Sequence, residues 1–386
     1  MTRLLIFSAE FPPGPGGIGT HAYQLARYFA GIGWAVHVLT PQDYAAEGEI
    51  RAFNAQQPFT ITRLPAHDSK PRQNIQRLSA IRKTLRKFPA DLALASGSRA
   101  IWLSSLLFPL NNIPWMVIGH GSEFGAQSGW GTGLTRFSAN RADAVICVSS
   151  YTKHALQALG VTRPPIHVIH NGADAHSFYP LPAQAVQAFR QEQSAGEDFI
   201  LLTVGQVSDR KGQEVVIRAL PAIKRALPEV QYWMAGLPEK EAELSALAES
   251  LGVLDHIRFW GRVPQEQLLR LYNACDLFLM TSRQLGDGDF EGYGIAVVEA
   301  ALCGKAAVVS DNSGLAEAVQ HEKTGLLVPQ NNPRATAKAV LALAGDPQRL
   351  AVMNRDAQEH ALEHQTWAKV GARYQRALEA LLMKGS

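Results

Sequence analysis

Short apolar runs rich in β-branched residues recur along this chain with helical periodicity between them, and that alternation limits the possible folds more than any other feature. One series runs Leu4–Phe7, Ala35–Leu39, Leu92–Ala95, Trp115–Ile118, Ala144–Val148 and Ile166–Ile169. A second runs Phe199–Val204, Tyr232–Ala235, Ile257–Phe259, Leu277–Met280, Ala307–Ser310 and Gly325–Val328. Runs that are apolar at successive positions, rather than at alternate ones, belong to strands covered on both faces, as parallel strands with crossover helices are. Two doubly wound α/β sheets are the simplest account. The polar, aromatic-poor stretch from Pro180 to Glu197 separates the two series, so the expected domains are 1–190 and 191–364. The remainder, 365–386, reads as a terminal helix with Trp367, Val370, Tyr374, Ala377 and Leu381 on one stripe.

Composition enters mainly by exclusion. With 386 residues, 46% hydrophobic, the chain has apolar material for two cores. A net charge of +3 gives no case for a nucleic-acid partner. Cys147, Cys275 and Cys303 lie scattered in apolar stretches without metal-ligand spacing or a disulfide framework, which points to a reducing compartment. No apolar run approaches the ~18 residues that span a bilayer, and the chain opens directly on a strand, so the expected location is the cytoplasm.

The most chemically suggestive segment is Arg283 to Ala300, where Glu291 and Glu299 are separated by seven residues and Gly292-Tyr293-Gly294-Ile295 opens an apolar helix between them. Backbone N–H groups at a helix start lack intrahelical partners and sit at the positive end of the macrodipole, so this turn suits an anion such as a diphosphate. Glu291 can then grip hydroxyls at one end of a ligand and Glu299, roughly 7 Å further along at about 1.5 Å per residue, at the other. Alone, the same spacing also suits a solvent-facing glutamate pair beside a buried helix.

The neighbouring residues favour the ligand. Cys303-Gly304-Lys305, Ser313-Gly314, Glu317 and Lys323-Thr324-Gly325 follow the glutamates, while Leu201–Gly205 with Asp209-Arg210-Lys211-Gly212 and Phe259-Trp260-Gly261-Arg262-Val263 precede them. Taken together these stretches resemble the retaining glycosyltransferases of family 4, over nearly the whole chain. The resemblance implies a GT-B fold: two Rossmann-like doubly wound domains facing across a deep cleft, with the final helix crossing back to the first domain. It implies retaining transfer of a hexosyl unit from a nucleoside diphosphate sugar, UDP-glucose being the favoured donor, to a hydroxyl of a saccharide or lipid-linked saccharide, as in polysaccharide or glycolipid synthesis. No metal and no cofactor is expected, the nucleotide sugar being a co-substrate; Asp287-Gly288-Asp289 is spelled like a metal pair but lies where the family binds sugar or acceptor.

Residue by residue, the resemblance assigns the ribose hydroxyls to Glu299, the sugar hydroxyls to Glu291, and the diphosphate to Lys211, Arg210 and the turn Gly292, Tyr293, Gly294, Ile295. The backbone near Arg262 and Val263 takes the base edge. Gly16 and Gly17 face the diphosphate from the first domain; the formal G-x-G-x-x-G from Gly14 to Gly19 lacks the acid that a dinucleotide site carries about 20 residues on. His120, at a strand's carboxyl end, would stabilise charge beside the anomeric carbon, and Glu123 would touch the acceptor. His120, Glu291 and Lys211 are thus the expected catalytic groups. One departure stands out: Gln206 occupies the place of a second clamping arginine, leaving Arg210 to supply that charge although adjacent side chains rarely converge on one ligand. Two other readings remain open, a catalytically silent nucleotide-sugar scaffold and a nucleotide-sugar epimerase on the same fold.

Acceptor binding falls to the first domain, whose segment Arg51 to Ala90 carries nine cations against the single acid Asp68. Within 72–88, Ile75, Leu78, Ile81, Leu85 and Phe88 fall on one helical face, so this stretch either covers the sheet with its polar face in water or rests peripherally on an anionic membrane.

Overall fold

The computed structural model describes residues 1–14, 16–43, 45–65, 69–121, 130–286 and 288–385. They form two compact units, one of Met1–Asn171 with Trp367–Ser386 and one of Gly172–Thr366. Each unit is built on a parallel sheet with helices between its strands.

In the first unit the strands are β1 (Arg3–Ser8), β2 (Ala35–Thr40), β3 (Thr60–Arg63), β4 (Leu92–Ser96), β5 (Trp115–Gly119), β6 (Ala144–Cys147) and β7 (Ile166–Val168). Their order is β3-β2-β1-β4-β5-β6-β7. Leu4, Leu5 and Ile6 of β1 are fully buried, as a strand covered by helices on both faces requires. The chain reverses its direction of growth between β1 and β4, whose carboxyl ends, Ser8 and Ser96, lie side by side in register. That reversal is where open α/β sheets form their ligand crevice.

The second unit has β8 (Phe199–Val204), β9 (Val230–Ala235), β10 (Ile257–Gly261), β11 (Leu277–Met280), β12 (Ala307–Ser310) and β13 (Gly325–Val328), in the order β10-β9-β8-β11-β12-β13. Here the reversal falls between β8 and β11. The segment after β8 and the segment after β11 carry most of the expected donor-binding residues.

Three features depart from the expectations. β3 was absent from them because Thr-Ile-Thr-Arg lies at the sheet edge, exposed or half-buried throughout, and shows no apolar run. The boundary falls at Gly172 instead of 190. The helix Ala183–Glu192 belongs to the second unit because Phe189 packs edge-on against Trp233 and Arg190 bonds the Ala274 carbonyl and Asp276. In the basic helix Lys70–Lys87, Ile81 and Leu85 are buried and Leu78 and Phe88 half-buried, but Ile75 is 67% exposed. Arg77 is no part of its solvent face: it is buried, bonds the Pro65 carbonyl at 2.9 Å and pairs with Asp43 at 2.9 Å.

The terminal helix Trp367–Gly385 is counted with the first unit and packs on the helix Gly17–Gly31. Gly371 permits the approach, since a Cβ there would overlap the Tyr28 ring. Val370, Tyr374 and Leu378 are fully buried at this contact. Among the described residues, no helix is long and apolar enough to cross a membrane.

Candidate functional site

Beyond β8 the chain passes Gly205 and Gln206, makes one turn of 3-10 helix at Asp209–Lys211, and enters the helix Gln213–Ala226 through Gly212. Gly212 is left-handed, with φ 71° and ψ 23°, and a Cβ there would overlap the Thr281 carbonyl beyond β11. Only glycine fits so tight a turn against another backbone. Arg283 pins the same turn from the other side: its amide donates to the Arg210 carbonyl at 2.8 Å and its Nε to the Asp209 carbonyl at 2.8 Å.

This bracing aims two successive cations at one oxygen. Lys211 Nζ lies 2.8 Å from Glu291 Oε2, and Arg210 Nη1 donates to that same oxygen. Arg210 Nε also pairs with Asp289 at 3.2 Å. The expectation that neighbouring side chains rarely converge fails here: both long side chains bend to the one carboxylate oxygen that stands before the turn. Burial by itself would raise the Glu291 carboxyl, but Lys211 and Arg210 outweigh it and hold the group at about 2. Glu291 is therefore ionised throughout the physiological range.

From Glu291 the chain runs through Gly292 and Tyr293 to Gly294, which opens the helix Ile295–Leu302 with φ 86° and no capping side chain. A Cβ on Gly294 would overlap Leu315, and the Gly314 amide donates to the Glu291 carbonyl at 3.0 Å, so the turn is fixed from its flank. The Tyr293 side chain is buried and its hydroxyl accepts from Gln365 Nε2 at 2.8 Å, which leaves the part assigned to Tyr293 in the turn to its backbone. Glu299 stands in the helix with its carboxylate accepting from the Tyr272 hydroxyl at 2.6 Å. Burial pushes this carboxyl up to about 7, with the Tyr272 bond and Lys211 opposing. The two glutamates of one motif thus shift in opposite directions, because two cations outweigh burial at Glu291 whereas burial outweighs the Tyr272 hydroxyl and Lys211 at Glu299.

Arg262 and Val263 follow the β10 terminus at Gly261, Arg262 exposed and Val263 half-buried. Gln206 keeps its carbonyl bonded to Gln213 Nε2 at 3.0 Å. Asp287 and Glu123 lie outside the described residues. Among the described residues no cluster of three or more metal-binding side chains occurs.

The other expected residues sit in the first unit. Gly16, at φ 137°, and Gly17 open the helix Gly17–Gly31, and a Cβ on Gly16 would meet the Glu10 carboxylate. His120 follows β5, and its Nε2 lies 2.9 Å from Ser96 Oγ at the end of β4. Burial pushes His120 down to about 3, so the ring is neutral. His21 stands edge-on to His120, ring centroids 4.8 Å apart, and its Nε2 is 3.0 Å from the Tyr374 hydroxyl.

Tyr272, Ser96, His21 and Tyr374 were not foreseen. Ser96 could have been found as a polar residue at a strand's carboxyl end beside a reversal point. Tyr272 and Tyr374 lie on apolar helix faces and read as core; only their hydroxyl partners distinguish them.

The sequence and the fold are similar to those of known proteins. Residues 186–360 match the family model described as glycosyl transferases group 1, and residues 15–177 that of glycosyltransferase family 4. The chain is 28% identical over 380 residues to the GDP-mannose-dependent alpha-(1-6)-phosphatidylinositol monomannoside mannosyltransferase of Mycolicibacterium smegmatis, covering 96% of each. It is 27% identical over 398 residues to glycogen synthase of Mycobacterium tuberculosis, covering 95% of this chain and 92% of that one. Its fold matches the crystal structure of Anabaena HepE in complex with UDP and glucose with a TM-score of 0.85 at 21% identity, covering 98% of this chain and 100% of the other. With its two parallel sheets of GT-B type and the two family models lying over its two halves, the chain belongs to the family 4 glycosyltransferases.

Proposed function

We propose that this protein transfers a hexosyl unit, with retention at the anomeric carbon, from a nucleoside diphosphate sugar to a hydroxyl of a saccharide or lipid-linked saccharide. The observation that carries the reading is the convergence of Lys211 and Arg210 beside an uncapped helix start, with Glu291 before the helix and Glu299 within it. Departure of the diphosphate leaves positive charge on the sugar ring and negative charge on the leaving group. Lys211, Arg210 and the amides at the start of Ile295–Leu302 meet the negative charge as it develops on the leaving group, once the donor has taken the two cations from Glu291. Because these groups supply the positive charge, we read the reaction as needing no metal ion or cofactor. Neutral His120, in the role that the family resemblance gives it, offers a ring dipole to the anomeric centre. No carboxylate of the site is assigned as a nucleophile, so retention is best accounted for by attack on the departing face, assisted by the leaving phosphate.

GDP-mannose is the donor to test first, because relatives named for it match nearly the whole chain; UDP-glucose is the second. The decisive measurement is calorimetric titration of GDP, UDP and ADP without metal into the wild type and Glu299→Ala. One nucleotide should bind, and the variant should lose roughly 30-fold or more of that affinity as the ribose loses its carboxylate. If the wild type binds none of the three, nor the corresponding sugar nucleotides, the reading of the site as a nucleotide-sugar site fails.

The acceptor side points to peripheral contact with the cytoplasmic membrane surface. Arg82, Lys83, Arg86 and Lys87 line an open groove on Lys70–Lys87 with Ile75 and Leu78 between them. Sedimentation with anionic vesicles should occur at low salt and fade at high salt as screening sets in. Failure to sediment at low salt removes this part of the proposal.

A further inference from the structure

The cations that would hold a donor diphosphate are already occupied. Glu291 Oε2 takes both Lys211 and Arg210, and Asp289 takes a second edge of Arg210. Two cations and two carboxylates cancel, so a diphosphate approaching this arrangement meets a neutral cluster with a carboxylate at its centre. Like charges a few ångströms apart in a part-buried site repel strongly. Glu291 must therefore leave the cations before the diphosphate can take them.

Its backbone does not have to move for this. The Glu291 carbonyl is held by the Gly314 amide and the following turn is wedged against Leu315, whereas the carboxylate reaches the cations through a flexible side chain. What that carboxylate lacks, once displaced, is a partner, and an unpaired buried carboxylate is costly. A hexosyl group supplies hydroxyls that replace the lost partners. A bare nucleoside diphosphate supplies none.

We propose that Glu291 discriminates the sugar nucleotide from the nucleoside diphosphate product: it stands in for the diphosphate on Lys211 and Arg210 in the empty site, and gives way fully only to a ligand that carries sugar hydroxyls. After transfer the hexose is gone, the carboxylate again competes for the two cations, and the product is expelled by the same residue that helped to bind the donor. This inference rests on the reading of the site as a nucleotide-sugar site.

The experiment compares calorimetric affinities of GDP with GDP-mannose, and of UDP with UDP-glucose, for the wild type, Glu291→Gln and Glu291→Asp. In the wild type the sugar nucleotide should bind roughly tenfold more tightly than its diphosphate. In Glu291→Gln the bare diphosphate should tighten by about fivefold or more while the sugar nucleotide weakens, so that the preference disappears or inverts. Glu291→Asp keeps the charge but draws it back by one methylene, and the diphosphate should tighten part of the way. It decides the matter alone if Glu291→Gln does not fold. Unchanged or weaker diphosphate binding in the folded variants overturns the discriminating role while leaving the nucleotide-sugar reading intact. Wild type that binds neither form overturns both.

Discussion

The first unit opens the helix Gly17–Gly31 on Gly16, and the second opens Ile295–Leu302 on Gly294. Both glycines have positive φ, neither helix has a capping side chain, and neither first turn contains an acid. Each start also has a glutamate nearby. Glu10 accepts the Gly19 amide within the first helix, and burial raises its carboxyl with only that amide opposing. Glu291 is instead drawn onto Lys211 and Arg210 and held near 2. Similar helix starts thus differ in readiness for an anion. In the first unit a carboxylate of the chain itself uses an amide of the opening turns, whereas in the second the cations hold the carboxylate away from them.

The largest expected effect that sharpens this contrast is the pH dependence of stability in Glu291→Gln and Glu10→Gln. Glu291 binds fewer protons in the folded chain than in the unfolded one between about 2 and the ordinary carboxyl value of about 4.3. Its contribution is complete above the unfolded value and is lost as pH falls toward 2; at neutral pH it amounts to roughly 3 kcal/mol. Glu10 is raised, so its contribution is complete below the unfolded value and is lost as pH rises through the folded one. Unfolding measured from about pH 3 to pH 8 should therefore show the deficit of Glu291→Gln shrinking toward acid, and Glu10→Gln gaining on the wild type toward base. Parallel slopes for the two variants would dissolve the contrast.

What the sequence made legible follows the same physics. Strands such as Leu4–Phe7 and Leu277–Met280 could be read because burial on both faces writes itself as an unbroken apolar run. The strand Thr60–Arg63 could not, because an edge position makes no such demand. Glu291 and Glu299 were singled out through their spacing and glycine neighbours, and Lys211 through the family resemblance of its turn. Their partnership was not, since it depends on the left-handed φ of Gly212 and on the tether from Arg283, neither of which is written as a pattern. Tyr272 reaches Glu299 only because the helix Gln265–Ala274 packs there, and in sequence it is indistinguishable from a core aromatic. The boundary was misplaced because composition marks polar stretches, whereas contacts such as Arg190 with Asp276 decide which unit a helix joins.

Smaller effects come from the glycines themselves. At Gly294 an added methyl faces both a left-handed backbone and the Leu315 side chain, so Gly294→Ala should destabilise by about 1–3 kcal/mol and lower the melting temperature. Gly17 is the opposite case. Among the described residues nothing lies within 4 Å of the Cβ it would gain, and its φ is not positive, so no contact or strain among them asks for glycine there. A helix residue exchanged from glycine to alanine gains about 0.5–1 kcal/mol, which corresponds to roughly 1–3 °C in melting temperature. Gly17→Ala should therefore be slightly more stable than the wild type. If a ligand phosphate approaches that bare backbone, the same methyl obstructs it, and donor affinity should fall while stability rises. A gain in melting temperature with undiminished donor binding would remove Gly17 from the donor site and leave its glycine without a ligand to explain it.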